Sequence, residues 1–150
     1  MGMLHQTRNN YMLNKTSLSL RDAIYLVDAA RSAAEALKLP VSIVVVDAST
    51  YMQAMVRMDG APLMSAQGAF DKARTSAEGG HPTTFFEKPL NEGRFSMLKL
   101  PHTPIEGGLP VMVNGECVGA VGVAGAPPHL DAKIAESAIS LFQINSGEHQ

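Results

Sequence analysis

Leu109-Pro-Val-Met-Val-Asn-Gly-Glu-Cys-Val-Gly-Ala-Val-Gly-Val-Ala124 is the stretch that decides the fold. Two apolar runs flank Asn114-Gly115, and this pair is a strong hairpin signal because a type I′ turn needs φ > 0 at both central positions. The second run is punctuated by Gly119, Gly122 and Gly125. Glycines inside a strand cost stability, so this spacing predicts that something packs very close to that backbone. No strand-turn-helix context and no P-loop lysine accompany them, which argues against a phosphate cradle.

Working outward, Val41–Asp47 is dense in β-branched residues and Tyr51–Met58 has enough apolar content for a second strand, with Ala48-Ser49-Thr50 as the turn between them. These read as another hairpin. Helices fill the intervals. Ser19 and Asp22 form a capping box for a helix carrying Ala23, Ile24, Val27, Ala30, Ala34 and Leu37, which stops at Pro40. Ser65 is positioned to cap a second helix with Ala69, Phe70, Ala73 and Ala77 on one side. Thr84 to Glu87 reads as a further capping box, for a helix of a turn or two before Pro89. Residues 91–104 read as an irregular crossing, over the surface or into a neighbour. After Pro127-Pro128, a final amphipathic helix carries Leu130, Ile134, Ala138, Leu141 and Phe142. Hairpins separated by helices imply an α+β fold, with an antiparallel sheet and helices packed on its faces.

The chain has 150 residues, 45% of them hydrophobic and 17% charged, which suits one compact domain. Residues 17–145 are expected to form that domain, behind a polar, disordered or extended N-terminal segment, 1–16. A formal net charge of -2 with no block of like charge disfavours nucleic acid or an anionic membrane as the main partner. No apolar run approaches the roughly 20 residues needed to span a bilayer, and a cytoplasmic location is expected. The single Cys117 excludes an intramolecular disulfide and any Cys-x-x-Cys metal site.

The candidate chemistry is dispersed. The histidines, His5, His81, His102, His129 and His149, show no metal-ligand spacing, so no metal site is expected. His81, His102 and His129 each stand next to, or one residue from, a proline. They read either as solvated loop histidines or as rigidly positioned ligand groups. Lys72, beside the apolar stripe of the second helix, is either a snorkelling stem or an anion anchor facing the sheet; Arg57 and Arg74 are alternatives, and Thr75 lies one turn away. The stretch Ile105-Glu-Gly-Gly-Leu-Pro-Val111 places a carboxylate before two glycines. Glu106 is there either as an exposed turn carboxylate or as a general base, and Gly107 and Gly108 mark a required backbone geometry or the floor of a site.

The ordered motifs Val46-Asp47, Arg57-Met-Asp-Gly-Ala61, Lys72-Ala-x-Thr75, Pro82-Thr83, Ile105-x-Gly-Gly-x-Pro-Val111, Gly119-Ala-Val-Gly-Val-Ala-Gly125 and Asp131 resemble the GlcG/HbpS family over about Leu18 to Phe142. The resemblance implies an α/β/α sandwich with a five-stranded antiparallel sheet of profilin-like type, and homo-oligomers, often octamers. It also implies an oligomeric small-ligand-binding protein, with haem or a related tetrapyrrole as ligand, held at a subunit interface by a loop histidine with Lys72 or Arg57 near the propionates. This chain departs from the family pattern at Thr50, where relatives usually have Gly, and at Leu109, where some haem binders have Thr. The first helix, Ser19 to Lys38, contains no histidine of the kind some members use, so an iron ligand would come from His81, His102, His129 or another subunit. The alternative is a small-molecule catabolic enzyme, an isomerase, hydratase or hydrolase. In it the Gly107-Gly108 turn would hold a substrate carboxylate or oxyanion while Glu106, His102 or Lys72 moves a proton.

Overall fold

The computed structural model describes residues 12–147. His5, His149 and most of the expected N-terminal segment lie outside them. Helix α1 is Leu20–Ala36, followed by strands β1, Ser42–Asp47, and β2, Met52–Arg57. Helices α2, Ser65–Gly79, and α3, Thr84–Asn91, lead through a 3-10 turn at Phe95–Lys99 into β3, Gly108–Val113, and β4, Glu116–Ala124; α4, Pro128–Gly147, closes the order. Among the described residues the sheet has four antiparallel strands in the order β2-β1-β4-β3, not the five that the resemblance implied. The two hairpins supply all four, and the remaining long connection, with Pro101 and Pro104, turns as a 3-10 segment and loop instead of pairing.

Alternation along the strands sorts side chains by size. Ile43, Val45, Val111, Val121 and Val123 turn to one face, where they pack with Leu26, Val27, Ile134 and Ala138 of α1 and α4. On the opposite face Val44, Val46, Ala120 and Ala124 meet Ala69 and Ala73 of α2. Small residues there bring α2 almost onto the backbone of β4. A Cβ on Gly122 would stand 2.0 Å from the Ala69 carbonyl oxygen, and one on Gly119 would stand 2.4 Å from the Val46 carbonyl oxygen, so each glycine of the strand meets close backbone.

Local signals act as expected where their partners are local. Asn114 (φ +49) and Gly115 (φ +78) make the β3–β4 turn, and the Ser19–Asp22 box is fully formed at the start of α1. Two other caps are diverted. Ser65 accepts no capping bond at α2; its hydroxyl instead donates to the Pro62 carbonyl and lies 2.8 Å from Ser42 Oγ of β1. No side-chain cap forms at α3, whose first-turn Glu87 accepts from the Glu106 N–H. That helix also continues two residues past Pro89.

The two edges of the sheet differ. Along β3, Gly108 is bonded to Thr83, Pro110 has no N–H, and the Met112 carbonyl accepts from Gln143 Nε2. Along β2 the outer edge carries no pairing among the described residues, and Met52 and Met55 are exposed.

Gly122→Ala should destabilise the protein by about 2 kcal/mol or more, since helix α2 has to lift off a backbone contact. Chemical denaturation of the variant against the parent measures this, and an unchanged midpoint would contradict the close packing described.

Candidate functional site

Lys72 sits on α2 with its side chain only 6% exposed. Its Nζ donates to the Val123 carbonyl at 3.0 Å and to Asp131 Oδ2 at 3.1 Å. Asp131 belongs to the first turn of α4, on the other side of the sheet, so this one ion pair ties the two helical layers together. The Asp131 Oδ1 atom accepts from the Ala126 N–H at 3.0 Å, which fixes the approach to α4. Burial pushes the Asp131 carboxyl above its ordinary value of 3.8, against the opposing pull of Lys72 and the Ala126 bond. The ammonium is therefore spent inside the protein and is not presented to a ligand.

The glycine pair lies directly over this ion pair. Gly107 has φ +130, and a Cβ there would meet the Val123 carbonyl oxygen at 2.6 Å and Lys72 Nζ at 2.8 Å. Only glycine fits. Its carbonyl accepts from Val123 N–H, while Gly108 exchanges bonds with Thr83: the Thr83 N–H donates to the Gly108 carbonyl at 2.9 Å, and the Gly108 N–H donates to Thr83 Oγ1 at 3.1 Å. The Glu106 N–H donates to Glu87 Oε2 at 3.0 Å. With the Glu106 and Gly108 donors engaged, the turn lacks the paired free N–H groups that an oxyanion needs.

Two hollows open beside the turn. One, of about 280 Å³, is lined by Glu106, Gly107, Gly108, Leu109, Ala132 and Glu136, together with Pro82 and Thr84. The other, of about 530 Å³, shares Pro82 and Thr84 and continues over Phe85, Lys88, Pro89 and Glu92. Together they form an apolar shelf with a charged rim. His81, exposed, stacks flat on Phe85 with ring centroids 4.0 Å apart, and Phe86 meets both Phe85 and His102 edge-on.

The other expected residues scatter. Thr75 is buried; its hydroxyl donates to the Asp71 carbonyl and accepts from the Thr103 N–H, both at 2.8 Å. Both ring nitrogens of His102 are buried without a hydrogen-bond partner. His129 is exposed in the first turn of α4. Arg57 is exposed at the end of β2, three strand spacings, or about 14 Å, across the sheet from β3. The fold thus brings His81, Glu106, Gly107 and Gly108 to the shelf and its approaches, and leaves Arg57 well away from it.

A family model described as "Haem degrading protein HbpS-like" matches residues 18–140. The chain belongs to the HbpS-like family. GlcG of Escherichia coli strain K12 is 37% identical over 114 residues, covering 75% of this chain and 85% of that protein. Among solved structures, a double mutant of HbpS from Streptomyces reticuli superposes with a TM-score of 0.83 at 32% identity, covering 89% of this chain and 92% of that one. A PduOC:heme complex gives a TM-score of 0.75 at 28% identity, covering 83% of this chain and 94% of that one. Among the described residues, no helix is long and apolar enough to cross a membrane.

For this HbpS-like chain, reading residues in sequence order missed Asp131 as the partner of Lys72, Thr83 and Glu87 as the clamps of the glycine turn, and Phe85 and Lys88 as shelf residues. The Thr84–Glu87 spacing did carry a signal, but its carboxylate serves a distant backbone N–H and not its own helix.

Lys72→Met should cost about 3 to 5 kcal/mol at neutral pH, because it strands a buried carboxyl; denaturant unfolding measures it, and a loss under about 1 kcal/mol would contradict the pairing. The folded state holds the Asp131 proton more tightly than the unfolded chain does. Its contribution to stability is therefore fully present below the ordinary value of 3.8 and is lost as pH rises through the raised folded value. Asp131→Asn should flatten that part of the stability profile, and a parallel profile for the variant would contradict the assignment.

Proposed function

We propose that the protein binds haem or a related tetrapyrrole on the shelf formed by α3 and the glycine turn. The observation that carries this reading is that the two hollows adjoin at Pro82 and Thr84, which line both and stand between Leu109 on one side and Phe85 and Pro89 on the other. A planar macrocycle needs an extended apolar surface, and the larger hollow lies in the range of small-molecule sites. The donor set fits the group: His81 is exposed at the head of the shelf and supplies an imidazole for iron, and Lys88 supplies a cation for a propionate. Glu92, Glu106 and Glu136 on the rim repel carboxylates, so the second propionate faces solvent.

Lys88 takes the role expected of Lys72 or Arg57, since one of those is buried in an ion pair and the other stands at the far edge of the sheet. When bound, haem supplies a redox-active iron; the chain's own residues orient the ring and shield one face from water. A second copy of the chain covers the other face, in keeping with self-association. Membership of a family of HbpS-like haem-degrading proteins and likeness to a PduOC:heme complex support the choice of ligand. The enzyme alternative has less support, because the Gly108 N–H that it requires at the turn, like the neighbouring Glu106 N–H, is already bonded.

Titrating hemin into the protein should give a saturable Soret band. His81→Ala should change its position and weaken binding, Lys88→Ala should weaken binding roughly tenfold, and His129→Ala should leave it unaltered. Absence of a saturable band, or equal behaviour of all three variants and the parent, would sink the reading.

A further inference from the structure

We propose that residues 94–106 form a strap that swings on Gly93 and Gly107 and, while closed, keeps the His102 imidazole out of reach of ligands. Three observations converge on this. Gly93 has φ +95 and Gly107 has φ +130, so the two ends of the segment turn on residues in a region that other side chains rarely adopt. Next, little holds the segment down. Beyond its first two residues, where the Arg94 N–H donates to the Pro89 carbonyl and the Phe95 N–H to the Gly93 carbonyl, two hydrogen bonds reach it from outside among the described residues: Thr75 Oγ1 accepts from Thr103 N–H at 2.8 Å, and Glu87 Oε2 accepts from Glu106 N–H at 3.0 Å. Phe95, Leu98 and Leu100 remain 71%, 62% and 50% exposed, so apolar burial does not anchor it.

The third observation concerns what the strap encloses. His102 is packed edge-on against Phe86 at 5.2 Å, and neither ring nitrogen has a partner. A buried polar group without a partner has lost its hydration and gained nothing in exchange. Opening relieves that cost, because solvent or a metal centre can then meet the nitrogens. The closed segment therefore holds an imidazole in an environment it leaves readily.

His102 already lies beside Phe86, next to the Phe85 shelf where His81 stands, so freeing its ring would offer a second nitrogen to a metal-centred ligand there. That destination rests on the haem reading. The strap itself does not.

Diethyl pyrocarbonate, which acylates accessible imidazoles, tests the strap on the full chain when modification is read residue by residue by mass spectrometry beside hydrogen exchange. His81 and His129 should react at once and His102 more slowly, with the Thr103 amide exchanging faster than those of β1 and β4. Thr75→Val removes the latch acceptor. Gly93→Ala strains the hinge without a clash, since a Cβ there meets nothing within 4 Å. Each variant should speed His102 acylation by about fivefold or more, with exchange in β1 and β4 unchanged. The strap is overturned if His102 reacts as fast as His81, if it reacts only at the rate at which β1 and β4 open, or if neither variant alters its rate. Hemin is absent from every arm, so failure of the haem reading and failure of the strap are separate results.

Discussion

The structure depends on one constraint: α2 has to lie close enough to the sheet for Lys72 to reach Asp131. An ammonium on one helical layer and a carboxylate on the other can meet inside a protein only if the intervening backbone carries no side chains in the way. Gly107, Gly108 and Gly122 clear that space, and the alanines of α2 complete it. The glycine turn is thus first a structural requirement, and the shelf beside it inherits its rigidity from the ion pair underneath. Because the two charges are 59 residues apart in the chain, neither is satisfied until both helices have docked.

This division also explains why a conspicuous lysine is buried in an ion pair. Placed beside an apolar stripe, Lys72 suggests either a solvated head or an anchor for an anion. The carboxylate that claims it arrives on α4, after two further strands have been laid down. By contrast Lys88, in an unremarkable stretch of sequence, reaches the rim of the shelf because α3 is held there by Thr83 and Glu87. Position relative to the fold decides which cation is left at the surface.

What was legible in the sequence follows the same line. The Asn114-Gly115 hairpin, the Ser19–Asp22 box and the β-branched run of β1 were readable because each is settled within a few residues. That something packs close to β4 was readable too, from the glycine spacing; that it is helix α2 was not. The diverted caps at Ser65 and Glu87 were not, because a tertiary partner outcompetes a local one and leaves no local trace. The count of strands came from family likeness, and within residues 12–147 it falls one short. As for the site, the glycine turn and His81 were visible in advance, whereas the aromatic row from His81 to His102 joins residues whose adjacency only the chain's return creates.

The unequal edges of the sheet give the molecule a direction. Thr83, Pro110 and Gln143 take up hydrogen-bonding positions along β3, so that side is poorly prepared to accept another strand. Among the described residues the open edge is the one beside β2, at the end of the order farthest from the glycine turn. A strand added there would leave the shelf clear of the seam.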